Sequence, residues 1–377
     1  MEYTTKCRIY PNKEQQRQIA KTFGCCRFVW NHYLVLREFF YRNRITKDDG
    51  SELWTKFDSI KDLVFLKDQY PWLREADAIA LQATVEDIDK AYQNFFRGCK
   101  TGKRIGYPRF KTKRNSKQSY RTKAVGNNIQ IDYEHGRVKL RKLGWVKIRL
   151  SKRVSGRILN ATVSKNASGK YFLAICWTDV RMHSLPATGQ ATGIDLGLKD
   201  LAVFSDGRKI DNIRVMKQSE ARLVRAQRRL SRKQKGSHRY VKQAKRVAVI
   251  HEKISNQRSD WNHKLTTTII REYDTIGIED LNIKGLLRNH KSAKSISDAG
   301  WGEIRRQLEY KSQWYGRNLI IADRFFPSSQ TCHCCEYRNP EVKDSKIRSW
   351  TCPDCHIVHD RDVNAAINLK EYALGHS

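Results

Sequence analysis

The chain reads as a multidomain α+β protein, on three observations. A helical block at 13–100 interrupts short strands that begin at residues 3–10 and resume after 101. A second α/β unit starts near 190, and a cysteine-rich segment at 328–358 precedes a last helix within 359–377. In the first strand, at 1–12, Tyr3, Thr5, Cys7 and Ile9 alternate with polar neighbours until Pro11. Asn12 with Gln15 three residues on is a capping-box pattern, so a helix is expected from 13. Ile79, Val85, Ile88, Ala91, Tyr92 and Phe95 recur at helical spacing, and Asp48-Asp49-Gly50-Ser51 reads as a loop. The stretch 101–185 opens basic, with aromatics interleaved, and continues as strands near 129–131, 138–140, 145–148, 158–163 and 171–177 separated by glycines. These predict a small β-barrel that the first strand joins.

Pro186-Ala187-Thr188-Gly189 reads as a linker. In the unit at 190–327, Gly193–Gly197, Leu201–Phe204 and Thr275–Glu279 read as strands. Residues 213–265 read as a basic helical hairpin broken at Lys235-Gly236-Ser237, with Tyr240, Val247, Ile254 and Trp261 forming a stripe seven apart. Residues 281–290 read as a loop, 297–318 as one helix, 319–326 as a strand and 363–372 as the closing helix.

The 73 Lys+Arg against 39 Asp+Glu give a formal net charge of +34. Such self-repulsion is tolerable when a polyanion neutralises it, and 9 Trp, 16 Tyr and 13 Phe supply stacking rings, so the expected partner is nucleic acid. No run is long enough for a membrane helix, and the N-terminus lacks a signal-peptide apolar region. A phosphate-binding Gly-x-x-x-x-Gly-Lys-Ser/Thr loop is absent, so ATP use is not expected. Scattered Cys7, Cys25, Cys26, Cys99 and Cys176 fit reduced thiols, hence a cytoplasmic protein, and DNA binding would make it nucleoid-associated if, as the resemblance given below implies, its host is a bacterium or archaeon.

Three carboxylates carry the chemistry. Asp195 and Glu279 close β-branched runs, and Asp362 opens the last helix. Rigid elements that bring three such groups together form a Mg²⁺ site for phosphodiester hydrolysis. Their neighbours Asp280 and Asp360 are expected to point elsewhere. Cys332 and Cys335 are followed sixteen residues later by Cys352 and Cys355. Two Cys-x-x-Cys pairs at this gap predict one tetrahedral, structural Zn²⁺. Glu336 and His356 stand where glycine is common, and Cys334, His333, His356 and His359 are expected bystanders.

Taken in order, several motifs closely resemble the TnpB (OrfB) family of transposon-encoded RNA-guided DNA endonucleases, related to type V CRISPR effectors. They are Arg8-Ile9-Tyr10-Pro11, Tyr107-Pro108-Arg109-Phe110, Gly193-Ile194-Asp195-Leu196-Gly197, Ile278-Glu279-Asp280-Leu281-Asn282, Ser297-Asp298-Ala299-Gly300-Trp301, the paired cysteines, and His359-Asp360-Arg361-Asp362-Val363-Asn364. The resemblance implies a wedge β-barrel with an inserted helical recognition domain, plus a RuvC-like RNase H-fold nuclease with an inserted zinc-binding segment. It further implies two Mg²⁺ ions with Asp195 bridging them, a guide RNA from the transposon end, and double-stranded target DNA beside a short motif. A nuclease-inactive RNA-guided repressor of the same fold is the competing reading, and the intact Asp195, Glu279 and Asp362 set argues against it. A transposase reading lacks a tyrosine in a histidine-rich frame.

Basic and aromatic residues before and within the barrel are expected to contact nucleic acid: Arg104, Tyr107, Arg109, Phe110, Lys111, Tyr120 and Arg121. Trp145 is read equally as a stacking or a packing residue. On the hairpin the expected backbone contacts are Arg225, Arg228, Arg229, Arg232 and Lys233. By analogy with the family's recognition helices and wedge, Gln82 and Asn127 are assigned to the DNA motif.

Overall fold

The computed structural model describes residues 1–43, 54–114, 117–290, 292–344 and 346–376, so the loop expected at Asp48–Ser51 lies outside the described residues. The chain divides into two compact units, Met1–Arg181 and Met182–Ser377.

In the first unit, β1 (Tyr3–Tyr10) leads into α1 (Lys13–Arg42), α2 (Lys56–Gln69) and α3 (Ala78–Lys100). The capping box is present: Gln15 N donates to Asn12 Oδ1 at 2.8 Å, and Asn12 N donates to Gln15 Oε1 at 3.0 Å. Ile19, Phe23, Val29 and Tyr33 of α1 are buried, as are Leu81, Val85, Ile88 and Tyr92 of α3. The strands that follow are β2 (Gln118–Lys123), β3 (Ile129–Asp132), β4 (Arg137–Leu140), β5 (Gly144–Arg149), β6 (Arg157–Lys165) and β7 (Tyr171–Thr178). They join β1 in one antiparallel sheet of order β2-β6-β7-β1-β5-β4-β3. The N-terminal strand thus joins the later strands, as expected, and sits at the centre of the sheet.

Two features differ from the sequence reading. The strand order is linear with β2 and β3 at its ends, so the hydrogen-bonded sheet is open where a barrel was expected. And β2 falls in the stretch read only as basic and aromatic. Its one bulky nonpolar-bodied residue, Tyr120, packs edge-on against Phe23 at 5.8 Å, and Thr122 Oγ1 donates to Asp77 at 2.6 Å. Partners distant in sequence make this polar segment a strand.

The second unit contains β8 (Ala191–Asp195), β9 (Asp200–Phe204), β10 (Lys209–Asp211), α4 (Val215–Ser231), α5 (His238–Glu272), β11 (Thr275–Glu279), α6 (Ile283–Leu286), α7 (Ala293–Ala299), α8 (Trp301–Tyr315), β12 (Asn318–Ala322), β13 (Ser349–Thr351), β14 (Val358–Asp360) and α9 (Arg361–Leu374). Its main sheet runs β10-β9-β8-β11-β12. β8 pairs antiparallel with β9 and parallel with β11, and β11 is parallel to β12. Ile194, Leu201, Phe204, Ile269, Ile276, Ile278, Ile304 and Leu308 form the core against it. The α4–α5 hairpin closes over Val215, Leu223, Val247 and Ile254, two of them from the expected stripe. It turns at Gly236 (φ +88°), and α5 runs to Glu272, seven residues beyond the expected end.

The helix expected over 297–318 is two helices. Gly300 takes φ +71° and ends α7, and α8 restarts at Trp301. The expected 281–290 loop contains the short α6. The expected linker is pinned: Thr188 N and Gly189 N donate to Asp274, and Pro186 O accepts from the buried Arg317. No helix among the described residues is long and apolar enough to cross a membrane.

One contact positions the far end of the sheet. Gly193 and Gly277 are register partners on β8 and β11. A Cβ on Gly193 would lie 1.9 Å from Ala366 O, and one on Gly277 would lie 2.2 Å from Leu369 O. Helix α9 therefore rests directly on the backbone of both strands. Gly277→Val is expected to force the helix away and to cost about 1–3 kcal/mol or more. The check is a lower denaturation midpoint than that of Gly106→Ala, where a Cβ meets nothing within 4 Å. Equal midpoints would contradict the direct packing.

Candidate active site and metal centre

Asp195 is the last residue of β8 and Glu279 the last of β11. The pairing of Ile194 with Ile278 places both carboxylates side by side at the carboxyl ends of parallel strands, where α/β sheets bind ligands. Asp362 lies in the first turn of α9, the helix seated on the two glycines. Burial pushes the Asp195 carboxyl well above the usual range, and the charges of Glu279 and Asp362 push it further, while Arg361 and Arg348 pull it back.

Each of the other two carboxylates is held by its own donor. Ser328 Oγ donates to Glu279 at 2.5 Å. Arg348 Nη1 donates to both oxygens of Asp362 at 3.1 and 3.2 Å. The three are near enough to repel, yet more loosely grouped than the cysteines. Among the described residues only the four cysteines form a metal-ligating group with all donor atoms within 4.8 Å. The two neighbouring acids are engaged elsewhere. Asp280 pairs with Arg305 and Arg324, which hold its carboxyl below the usual range against burial. Asp360 caps α9, accepting from Asp362 N and Val363 N, and pairs with Lys209 at 2.6 Å.

The sequence reading missed Arg348 and Ser328. Arg348 lies in the cysteine segment, and its only signal is an arginine shortly before the last carboxylate. Also missed was why Asp298 matters: both its oxygens accept from Met216 N at 3.0 Å, capping α4 whose own Arg214 is left-handed with φ +44°.

Cys332, Cys335, Cys352 and Cys355 converge, with Sγ atoms 3.6 Å apart for Cys332–Cys355 and 3.5 Å for Cys335–Cys352. Tetrahedral zinc at 2.3 Å from each sulfur needs about 3.8 Å, so the four thiols fit such an ion. Two matching turns build the site. Glu336 N donates to Cys332 O and His356 N to Cys352 O, and both residues take left-handed backbone, φ +61° and +59°. Burial opposes ionisation of Cys352, but the N–H groups of Cys355 and Asp354 bring its thiol down to about 7. Cys334 is exposed. His359 is buried with Nε2 3.1 Å from Cys332 Sγ, so it stands beside a sulfur and outside the group of four. His333 Nδ1 lies 2.9 Å from Asn364 Oδ1, and Asn364 and Asn368 donate to Thr331 O, tying the segment to α9.

Among the expected nucleic-acid contacts, Gln82, Arg104, Arg109, Phe110 and Asn127 are exposed, as are Arg225, Arg228, Arg229, Arg232 and Lys233. Arg225 and Arg229 line one groove of the hairpin with Lys242, Lys245 and Arg246. Four of the expected residues have partners within the first unit. Tyr120 is buried in the first unit's core. Tyr107 spends its ring on Tyr92 and Phe95 and its hydroxyl on Tyr92 at 3.0 Å. Arg121 is neutralised by Asp87 at 2.7 Å and by Glu86 at 3.4 Å. Lys111 is exposed, with its ammonium 3.6 Å over the Trp30 ring. Trp145, left open between two roles, is 40% exposed.

Comparison with known proteins agrees with this architecture. Residues 174–290 match the OrfB_IS605 family, described as "Probable transposase", and residues 301–369 match "Cas12f1-like, TNB domain". Residues 1–45 match a "Helix-turn-helix domain" of OrfB_IS605, although residues 3–42 form a strand and one continuous helix. The chain is 37% identical to the "Putative RNA-guided DNA endonuclease" of Streptomyces pristinaespiralis, over 99% of this chain and 89% of that one. It is 30% identical to the "Putative RNA-guided DNA endonuclease InsQ" of Escherichia coli K12, over 99% and 92%. A solved structure described as the mini-RNA-guided endonuclease CRISPR-Cas_phi3 superposes with TM-score 0.51 at 9% identity, covering 99% of this chain and 92% of the other. The chain shares the mixed α/β fold of that structure. It belongs to the TnpB (OrfB) family.

Two outcomes are expected. In Mg²⁺-free buffer Asp195→Asn should melt above the native chain at neutral pH, because a carboxyl whose folded pKa is raised destabilises the fold when ionised. The gap should open as pH rises from about 4 through the raised pKa, and a pH-independent gap would contradict the assigned repulsion. On the hairpin, Arg229→Ala should lower the salt dependence of RNA binding by about 0.7–0.9 in log–log slope. Arg121→Ala should leave that slope unchanged, and titrations at several salt concentrations compare the two.

Proposed function

We propose that this chain is an RNA-guided DNA endonuclease that takes a guide RNA from a transposon end and cleaves double-stranded DNA beside a short motif. The observation that carries the reading is the placement of Asp195 and Glu279 on adjacent strand ends with Asp362 in the first turn of α9. Three antiparallel strands continued by two parallel ones support reading the second unit as a RuvC-like RNase H-fold nuclease. The helical block set into a β-sheet supports reading the first unit as a wedge domain carrying a recognition insert.

The donor set fits hard cations. All three groups are carboxylates, and their mutual repulsion at Asp195 is what a divalent ion relieves. Asp195, Glu279 and Asp362 would hold Mg²⁺, two ions on the family's pattern. When bound, such ions activate a water and stabilise the leaving 3′ oxygen. Arg348 orients Asp362 and Ser328 orients Glu279. The four cysteines would hold one structural Zn²⁺ that organises the segment between β12 and α9. The hairpin arginines supply sequence-independent grip on phosphates, while base pairing with the guide supplies specificity.

The test is to purify the chain from cells that carry its flanking DNA, sequence the RNA that accompanies it, and offer a matching plasmid library with a randomised flank. Flank-dependent, Mg²⁺-dependent cleavage is expected, abolished by Asp195→Ala with RNA binding unchanged. The same preparation should contain about one zinc per chain, lost in Cys352→Ala. Motif-dependent binding without cleavage by the native chain would overturn the nuclease reading. Absence of any specific RNA would overturn guidance.

A further inference from the structure

Strand alternation divides the three residues of β14. Val358 and Asp360 are exposed and His359 is buried, so His359 points inward to the cysteines while Asp360 stays outside. Trp350 of β13 is the register partner of His359. The imidazole lies between the rings of Trp350 and His333, each with its centroid 4.8 Å away. Only 2% of His359 is exposed. Its Nε2 stands 3.1 Å from the sulfur of Cys332, a residue that is itself fully buried.

A polar ring in such a place costs free energy unless its nitrogens find partners. Packing between Trp350 and His333 would suit a phenylalanine equally well, and what phenylalanine lacks is the nitrogen at the sulfur. His359 is not a fifth ligand. The four cysteines make a complete tetrahedral set, and the imidazole lies outside the group whose donor atoms all fall within 4.8 Å of one another. The other sulfurs show the kind of neighbour they keep. The N–H of Tyr337 points at Cys335, those of Asp354 and Cys355 at Cys352, and that of Ile357 at Cys355. Cys332 is faced by a side-chain nitrogen. A thiolate on zinc has no hydrogen to give, so a nitrogen 3.1 Å from it must carry one.

The residues that follow extend this contact to the carboxylates. Asp360 caps α9, accepting from Asp362 N at 3.0 Å and Val363 N at 3.1 Å. Arg361 N donates to Arg348 O at 2.9 Å, and the Arg348 side chain holds the Asp362 carboxylate. One stretch, His359 to Asp362, thus runs from a cysteine sulfur to a carboxylate. We infer that His359 donates its Nε2–H to the Cys332 thiolate of the zinc site and so positions the first turn of α9, which carries Asp362. The inference rests on the zinc reading of the four cysteines and goes beyond it, because a residue outside the four joins the metal to the carboxylate end.

The test uses the full-length chain loaded with zinc. With isotope-labelled histidine, nuclear magnetic resonance should place the His359 proton on Nε2, its signals identified by their absence in His359→Gln. His359→Phe keeps a ring without the donor, and His359→Gln sets an amide donor near the same point. Against a competing chelator, zinc affinity should fall about 10–100-fold in His359→Phe and stay near the native value in His359→Gln. With cobalt in place of zinc, the sulfur-to-metal absorption bands should shift in His359→Phe and return in His359→Gln, which packing alone would not produce. At saturating zinc, amide hydrogen exchange over residues 361–365 should be faster in His359→Phe, with β8 unchanged, and slow again in His359→Gln. Native affinity and native bands in a folded His359→Phe overturn the inference and leave the zinc reading standing. So does a native chain with the His359 proton on Nδ1 and Nε2 bare, a result that depends on no variant's folding. Unchanged exchange over 361–365 despite weaker zinc overturns the tie to Asp362. A native chain that takes up neither zinc nor cobalt overturns the zinc reading and the inference together.

Discussion

The carboxylate end of the second unit depends on a helix lying against bare backbone. Gly193 and Gly277 stand side by side on parallel strands, and α9 presses its own carbonyl oxygens into the space their missing side chains leave. The helix can then place Asp362 over the ends of β8 and β11, where Asp195 and Glu279 finish their strands. Any larger residue at either glycine would lift the helix and move one carboxylate relative to the other two. A fourth group joins this arrangement from outside the sheet, because Arg348 reaches Asp362 from the cysteine segment. The segment is itself moored to α9 through Asn364 and Asn368. The four clustered sulfurs and the three carboxylates therefore share one helix as their common reference.

How much of this was legible in the sequence depended on how local the cause was. The carboxylates could be found because each terminates a short β-branched run or begins a helix, and those patterns lie within a few residues. The cysteine group could be found because its spacing is itself the geometry of two tight turns. The nucleic-acid residues were harder. Tyr107, Tyr120 and Arg121 have the right chemistry and stand in a basic stretch, yet Tyr92, Phe23 and Asp87 claim them. Those partners come from helices well upstream, and composition carries no trace of the pairing. The same distance hid β2, whose burial is set by Phe23 and Asp77. Gly300 escaped for another reason: helical periodicity runs on through Trp301, Ile304 and Leu308, so one left-handed residue does not disturb the pattern.

Charge shows a related division. On α4 and α5 the exposed arginines lie along helices, where long side chains can splay apart. On the first unit's sheet the register removes that freedom and sets cations face to face. The helical surface is basic by number, whereas the cations of the sheet surface are set by register. Composition alone reports the same excess for both. Only strand pairing tells them apart.

Glu336 and His356 have a consequence of their own. Both hold the left-handed backbone that glycine adopts freely, at roughly 1 kcal/mol or more apiece for a residue with a side chain. They sit in a segment whose private core is little more than Val342, Trp350 and the cysteines themselves. Its two turns are thus wound against the preference of the residues that form them. The same segment supplies Arg348 to Asp362 and is hydrogen-bonded to α9 through Asn364 and Asn368, so its order and the setting of that carboxylate share their contacts.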